Sequence, residues 1–555
     1  MLEKRGWTEA TVECAPKLAA LAALERLSPS EPIPSVSYLS RGNVLVVAGS
    51  DALRARSGAE SLAATLPVTL VGSGDPPSPR VQAWPGRVSS LDGYLGEFTA
   101  TLEGVQADAR PAPAKFDLVL DFSDPPLFAM RQPPQGYFAA PPRDESLDEV
   151  IAEMREAVGE FEKPRYFAYR ENICAHARSA ITGCSACIDI CSTQAIVSDG
   201  DHVKVDPHLC MGCGACSTVC PSGAMSYQFP RVADRGEQMR HLLEAYAQAG
   251  GRDASLVFHD GAEGRALLAR SAAEGAGLPA NALPLETWHV ASVGLDLLLS
   301  AVALGASRVA VIATRSVDSE YRAALREQMA LGEAILNGLG YAGRHFALVE
   351  EASVDALDAA LGFGAPAIPA QPASFAVSND KRTSIEFAVE HLAKHAPAPV
   401  DEIALPAGAP FGEIRVDSAT CTMCMACVGS CPESALMDGV DTPLLKFLER
   451  NCVQCGLCEA TCPEDAITLS PRLLLTPAVR EARVINRTEP FLCVRCQKPF
   501  GTRQMVEAML GRLSGHSMFT GEGALVRLRM CADCRVVDMM SSKGEVSVLN
   551  LGSKA

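Results

Sequence analysis

Several things are scarce in this 555-residue sequence, and each scarcity excludes something. Positive charge is short: 49 Lys and Arg against 66 Asp and Glu leave a formal net charge of −17. That balance argues against nucleic acid and anionic membrane surfaces, and it suits docking to a basic patch on a partner. Aromatic residues make up only 5%, so the cores must be mostly aliphatic. Uninterrupted apolar runs are missing as well. The longest, about Val290 to Ala313, contains Asp296 and Arg308, and Gly305 splits it into a helix-like and a strand-like half, so it is not a membrane span. Met1 to Ala10 lacks the basic-then-apolar pattern of a secretory signal, and a cytoplasmic location is expected. No acid–base pair, nucleophile elbow or phosphate loop is recognisable, so no catalytic residue is named. The turn Gly49-Ser50-Asp51 sits where a dinucleotide fingerprint would be and lacks its glycines.

Cysteine, by contrast, is abundant, with 21 residues. Without a secretion signal, C-x2-C spacing points to metal or redox chemistry in a reducing compartment. Residues 421–432 read CTMCMACVGSCP and residues 452–463 read CVQCGLCEATCP, two copies of C-x2-C-x2-C-x3-C-P. This is the run of bacterial two-cluster ferredoxins, in which the fourth cysteine of each motif ligates the other cluster. One [4Fe-4S] cluster is therefore expected on Cys421, Cys424, Cys427 and Cys462, and a second on Cys452, Cys455, Cys458 and Cys431. The tight loop wraps one face of a cubane and turns backbone N–H groups toward its negative charge. The proline after the fourth cysteine fixes the local backbone.

An earlier clump varies the theme. Residues 210–221, CMGCGACSTVCP, are complete, but the preceding CSACIDIC supplies only Cys184, Cys187 and Cys191. Ile181 stands where the first cysteine belongs, and Ser192 replaces the proline after Cys191. By the same swap, Cys191, Cys210, Cys213 and Cys216 hold a third cluster, and Cys184, Cys187 and Cys220 a fourth. Cys174, with nine residues between it and Cys184, is the candidate for the missing ligand; without it the centre would be [3Fe-4S], or its iron would be held by water or His176. The last clump is two knuckles, Cys493/Cys496 and Cys531/Cys534, separated by 34 residues. Two knuckles can enclose one tetrahedral ion, which favours zinc, with a further Fe–S centre as the alternative. Cys14 is left over and reads as an ordinary thiol.

Around these motifs the chain reads as multidomain α/β plus two ferredoxin-like 2[4Fe-4S] modules and a C-terminal zinc-ribbon-like segment. The expected divisions are an N-terminal α/β domain (1–145), a first module (146–235), a second α/β domain (236–375), a helix, linker and second module (376–480), and the ribbon (481–555). Apolar runs at Val44–Ala48, Pro67–Gly72 and Phe116–Phe122 predict parallel strands in the first domain. In the second, Ser255–His259, Arg308–Ala313 and His345–Val349 read as strands. Val290–Leu304, Ser319–Leu339 and Asn379–Lys394 read as helices. His259 and His289 are assigned no ligand role.

Residues 252–350 resemble the iron–sulfur delta subunit of methanogen hydrogenases that pairs with heterodisulfide reductase. The resemblance rests on LVFHD, LGASRVAVIA and SEYRAALREQMA. That family's cysteine positions here carry His259, Asp260, Thr314 and Arg315, so the resemblance implies a docking fold without a [2Fe-2S] site. As a whole, with ENICAHARSAITGCSACIDIC and CVRCQKPFGTR, the chain resembles large multi-cluster ferredoxin-type proteins of proteobacteria. Such proteins are associated with molybdenum-containing formate dehydrogenases, and the resemblance implies such a partner. The expected function is a relay of single electrons through up to four [4Fe-4S] clusters, as a subunit or partner of a larger redox enzyme, with zinc at the C-terminus. The alternatives are a flavin- or nucleotide-binding oxidoreductase subunit and a maturation factor.

Overall fold

The computed structural model describes residues 14–541 apart from 50, 105–111, 142–143, 275–276, 363, 440–441 and 520–521. The reading of Met1–Ala10 therefore lies outside the described residues.

Val44–Val47 is buried at every position, as a strand covered on both faces must be. It is the centre of a five-stranded parallel sheet, flanked by Val68–Val71 and Leu118–Asp121, with Val81–Trp84 and Tyr137–Ala139 at the edges. One face is covered by the helices Ala52–Leu62 and Asp144–Glu156. An antiparallel meander, Arg87–Asp92, Phe98–Glu103 and Ala112–Phe116, covers the other. The sequence pattern does not reveal this meander. Its inward positions in Phe98–Glu103 include Ala100, too small to make the alternation stand out.

A second parallel sheet has the order Ala282–Glu286, Ser255–His259, Arg308–Ile312, Phe346–Val349. The apolar stretch 290–313 resolves into a single 3-10 turn (Val290–Ser292), the helix Leu295–Ala303 and the strand Arg308–Ile312, with Gly305 at φ 107° between the last two. Ser319–Gly338 packs Tyr321, Leu325, Met329 and Leu336 inward. Two helices from outside this stretch complete the core. Lys381–Lys394 lies along Leu295–Ala303, and Ala15–Glu25 lies along Val232–Gln248.

Each cysteine module is a pair of strand–loop–helix–strand halves. In the first, Phe167–Tyr169 pairs with Met225–Tyr227 and Ile196–Asp199 with His202–Val205. In the second, Gly412–Val416 pairs with Ile467–Leu474 and Leu436–Asp438 with Leu444–Phe447. The first strand of each module thus pairs with its last, which brings the fourth cysteine of each half beside the loop of the other. No helix among the described residues is long and apolar enough to cross a membrane.

Candidate metal centres

Four strands end five residues ahead of a cysteine: Tyr169 before Cys174, Val205 before Cys210, Val416 before Cys421, and Phe447 before Cys452. Three of the loops then take left-handed backbone at their third and fifth positions, at Gly212 and Gly214, Met423 and Met425, and Gln454 and Gly456. Such turns aim successive N–H groups inward. Burial raises the thiols of Cys210, Cys213, Cys452 and Cys455, and the N–H groups of Gly212, Ala215, Gln454 and Leu457, which bond them, oppose that rise. The glycines are also required sterically. A methyl group at Gly212 would lie 2.5 Å from the Tyr166 ring, and one at Gly214 2.5 Å from Ser292 Cβ.

The fourth loop is built differently. Between Cys174 and Cys184 the chain forms a hairpin, Ala177–Arg178 against Ile181–Thr182, turning through Ser179 and Ala180 at φ 51° and 65°. Gly183 N–H donates to His176 O at 2.7 Å and Cys184 N–H to Ala175 O at 2.9 Å, which returns Cys184 to the neighbourhood of Cys174. Both ring nitrogens of His176 are engaged, Nδ1 with Cys184 O at 2.8 Å and Nε2 with Ser198 Oγ at 2.7 Å. The ring braces the hairpin.

Cysteines gather in foursomes. One cavity is lined by Cys191, Cys210, Cys213 and Cys216, a second by Cys431, Cys452, Cys455 and Cys458, and a third by Cys421, Cys424, Cys427 and Cys462. Each takes three cysteines from one loop and one from the partner half. Cys174, Cys184, Cys187 and Cys220 lie within electrostatic reach of one another, and Cys174, Cys187 and Cys220 share one apolar cluster. The donor sets suit Fe–S cubanes: soft sulfur ligands around a cavity, with N–H groups directed at them. Ala435, Ala466 and Met225 donate to Cys431, Cys462 and Cys220 at 3.3, 3.3 and 3.5 Å. Burial, with neighbouring thiols adding to it, pushes Cys187 and Cys427 up to about 12. Loading a metal must therefore displace protons.

Residues that the cysteine pattern does not reveal surround these sets. Buried Lys163 donates to the carbonyls of His208 and Cys210 at 2.6 and 2.9 Å. Lys381 donates to those of Ser217, Thr218 and Cys220 at 3.0, 2.6 and 3.0 Å. Arg382 reaches Pro410, Arg450 and Cys452. Ser192, standing where the other motifs have proline, bonds Tyr321 Oη at 2.5 Å and Gln132 Oε1 at 3.3 Å. Tyr321 also bonds Cys213. The departure from the motif is thus where both α/β units dock on the first module. Nothing in the local sequence marks these residues, because their partners are distant along the chain.

The last four cysteines form a tighter group. Hairpin Pro490–Leu492 and Pro499–Thr502 presents Cys493 and Cys496, and Cys531 and Cys534 lie at the start of helix Ala532–Ser541. All four Sγ atoms lie within 4.8 Å of one another, and Cys496 and Cys531 are 3.7 Å apart. An ion holding four thiolates at about 2.3 Å sets them about 3.8 Å apart, whereas a cubane needs a wider shell. Among the described residues this is the one group tight enough for a single ion. Burial raises the Cys493 thiol, but N–H bonds from Cys496, Cys531 and Arg495 outweigh it and hold it at about 6. Thr502 Oγ1 donates to Thr422 O at 2.7 Å, joining this segment to the Cys421 loop.

Comparison with known proteins agrees with this geometry. A 4Fe-4S dicluster domain matches residues 182–224, and 4Fe-4S binding domains match residues 418–435 and 446–468. The chain is similar to Ferredoxin 7Fe of Hydrogenibacillus schlegelii, at 34% identity over 44 residues, 8% of this chain and 56% of that one. It is similar to Hydrogenase-4 component A of Escherichia coli, at 29% over 82 residues, 15% and 38% of the two chains. It is also similar to the indolepyruvate oxidoreductase subunit IorA of Pyrococcus horikoshii, at 49% over 45 residues, 8% and 7%. The matched stretches thus span from 7% to 56% of these relatives' lengths. The chain thus carries ferredoxin-type 4Fe-4S domains in two separate regions of a mixed α/β fold.

Proposed function

We propose that the chain is an electron relay holding four [4Fe-4S] clusters and one zinc ion, working as a subunit or partner of a larger redox enzyme. The observation that supports it best is that three cavities are each lined by four cysteines drawn from two motif halves. The ligand sets are those of the motif reading, with Cys174, Cys184, Cys187 and Cys220 as the fourth. When bound, such clusters take up and release one electron each. The chain's own part is to hold the thiolates, direct N–H groups at them and place cations beside them, which sets how readily an electron is accepted.

Zinc is proposed at Cys493, Cys496, Cys531 and Cys534 because those thiols are as close as a single tetrahedral ion requires. Two relatives bear the names of a hydrogenase component and an oxidoreductase subunit, which supports a multi-subunit partner. The proteobacterial resemblance makes a cytoplasmic molybdenum formate dehydrogenase the first partner to try. The delta-subunit resemblance of residues 252–350 supports a docking role for the second sheet, whose helix start at Tyr321 already touches the first module.

Anaerobic purification tests the proposal. The expected result is about sixteen irons per chain and a broad visible absorbance bleached by dithionite. About four irons or fewer would sink the relay. Co-purification with a formate-oxidising enzyme supports the partner, and its absence under the same conditions counts against it.

A further inference from the structure

The hairpin between Cys174 and Cys184 reaches a place in the fold that a two-residue spacing could not. It lies against the short helix Leu457–Ala460 of the second module. Gly183 is at the contact: a methyl group there would stand 2.6 Å from Leu457 Cγ and 2.8 Å from the Ala175 carbonyl. Gly183 directly precedes Cys184, and Leu457 lies between Cys455 and Cys458. A third element ties the same joint. Lys381 and Arg382 are consecutive, yet Lys381 donates to the Cys220 carbonyl of the first module and Arg382 to the Cys452 carbonyl of the second, at 3.0 and 3.2 Å. Asp380, just before them, pairs with Arg170 at 2.8 Å.

We propose that this hairpin is an inter-module junction. It fixes the Cys174, Cys184, Cys187 and Cys220 set against the Cys431, Cys452, Cys455 and Cys458 set, so that one electron can cross and the four sets form a single line. The proposal rests on the relay reading above. Cys184 and Cys455 lie within electrostatic reach across the joint, as Cys187 and Cys216 do within the first module and Cys427 and Cys458 within the second. The line therefore runs from the Cys421 loop, through the Cys452 loop and the Cys174 loop, to the Cys210 loop. Clusters held by these sets would exchange an electron alone at the joint, one losing it as its neighbour gains it, with no bond or proton moved. Lys381, Arg382, Gly183 and Leu457 are positioning residues in this scheme.

The test is electron paramagnetic resonance of the full-length, anaerobically purified, reduced chain. The signal that vanishes in Cys184→Ser belongs to the inner centre of the first module. In Cys455→Ser, which removes the centre across the joint, it is expected to lose that centre's share of its splitting and keep the share from the Cys210 set; in Cys424→Ser, which removes the far one, it is expected to keep both. Splitting untouched by Cys455→Ser, or lost equally in both, overturns the junction. Should a variant shed more iron than its own centre, the unaltered chain supplies the second measurement. After a substoichiometric pulse of dithionite, freeze-quenched samples should show electrons spreading between modules at a rate independent of protein concentration. A rate proportional to concentration overturns the junction while leaving the relay standing. An iron content of about four or fewer overturns the relay, and the junction with it.

Discussion

Cys174 and Cys452 occupy the same local structure in different modules. Each follows a single 3-10 turn, Glu171–Ile173 or Glu449–Asn451, and donates its N–H to the carbonyl three residues back, at 3.0 and 2.9 Å. Their backbone angles are −74°, 128° and −71°, 128°. Cys452 opens a complete motif, so Cys174 stands where a first ligand stands. Substituting it should therefore behave as loss of a ligand. In Cys174→Ala, iron is expected to fall from about sixteen toward about twelve per chain, or about fifteen if a three-iron centre survives. Cys14→Ala should leave it unchanged. Iron and sulfide analysis with resonance spectra distinguishes these outcomes.

Lys381 is half-buried with three carbonyl acceptors around its ammonium group. A positive charge beside the Cys220 thiol favours the more negative, reduced state of a centre held there. Lys381→Met is expected to lower the midpoint potential of that centre, read by potentiometric titration. It should also cost about 3 kcal/mol of stability, because buried carbonyls lose their donor. An unchanged potential would mean that the lysine serves packing alone.

The C-terminal foursome should load independently of the others. In Cys496→Ala or Cys531→Ala, elemental analysis is expected to show about one zinc lost per chain with iron unchanged. Loss of several irons together with retention of zinc would assign the site to a cluster instead.

Lys17 gives a pH signature far from the cysteine foursomes. Its Nζ donates to Pro279 O at 3.0 Å and Leu278 O at 3.4 Å, and burial lowers it to about 8, with Cys14 opposing. Below pH 8 both the folded and unfolded states carry the proton, and the folded state bears the burial penalty. Between about pH 8 and 10.5 the folded state releases it first, so stability from this group rises with pH, by up to about 3 kcal/mol. Urea unfolding of Lys17→Met should lack that rise relative to the unaltered chain. Equal pH dependence in both would refute the assignment.

The sequence alone determined the chemistry of the chain. Cysteine spacing is a local constraint, since two-residue gaps bend a loop around a cubane face whatever surrounds it, and so the motif halves were legible without a fold. The apolar runs at Val44, Ser255 and Arg308 were legible for a similar reason: a strand buried on both faces has no polar side to confuse the pattern. The meander was not, because the small Ala100 and Ala114 share its inner face with Phe98 and Leu102 and blur the alternation. Tertiary structure alone decided that Cys174 returns to Cys184 through a hairpin, that Ser192 rather than proline meets Tyr321, and that Lys381 and Arg382 face different modules. Those relations join residues up to more than one hundred and fifty positions apart. No local periodicity records them, because they arise only when separately folded surfaces are pressed together and their buried polar groups must find partners.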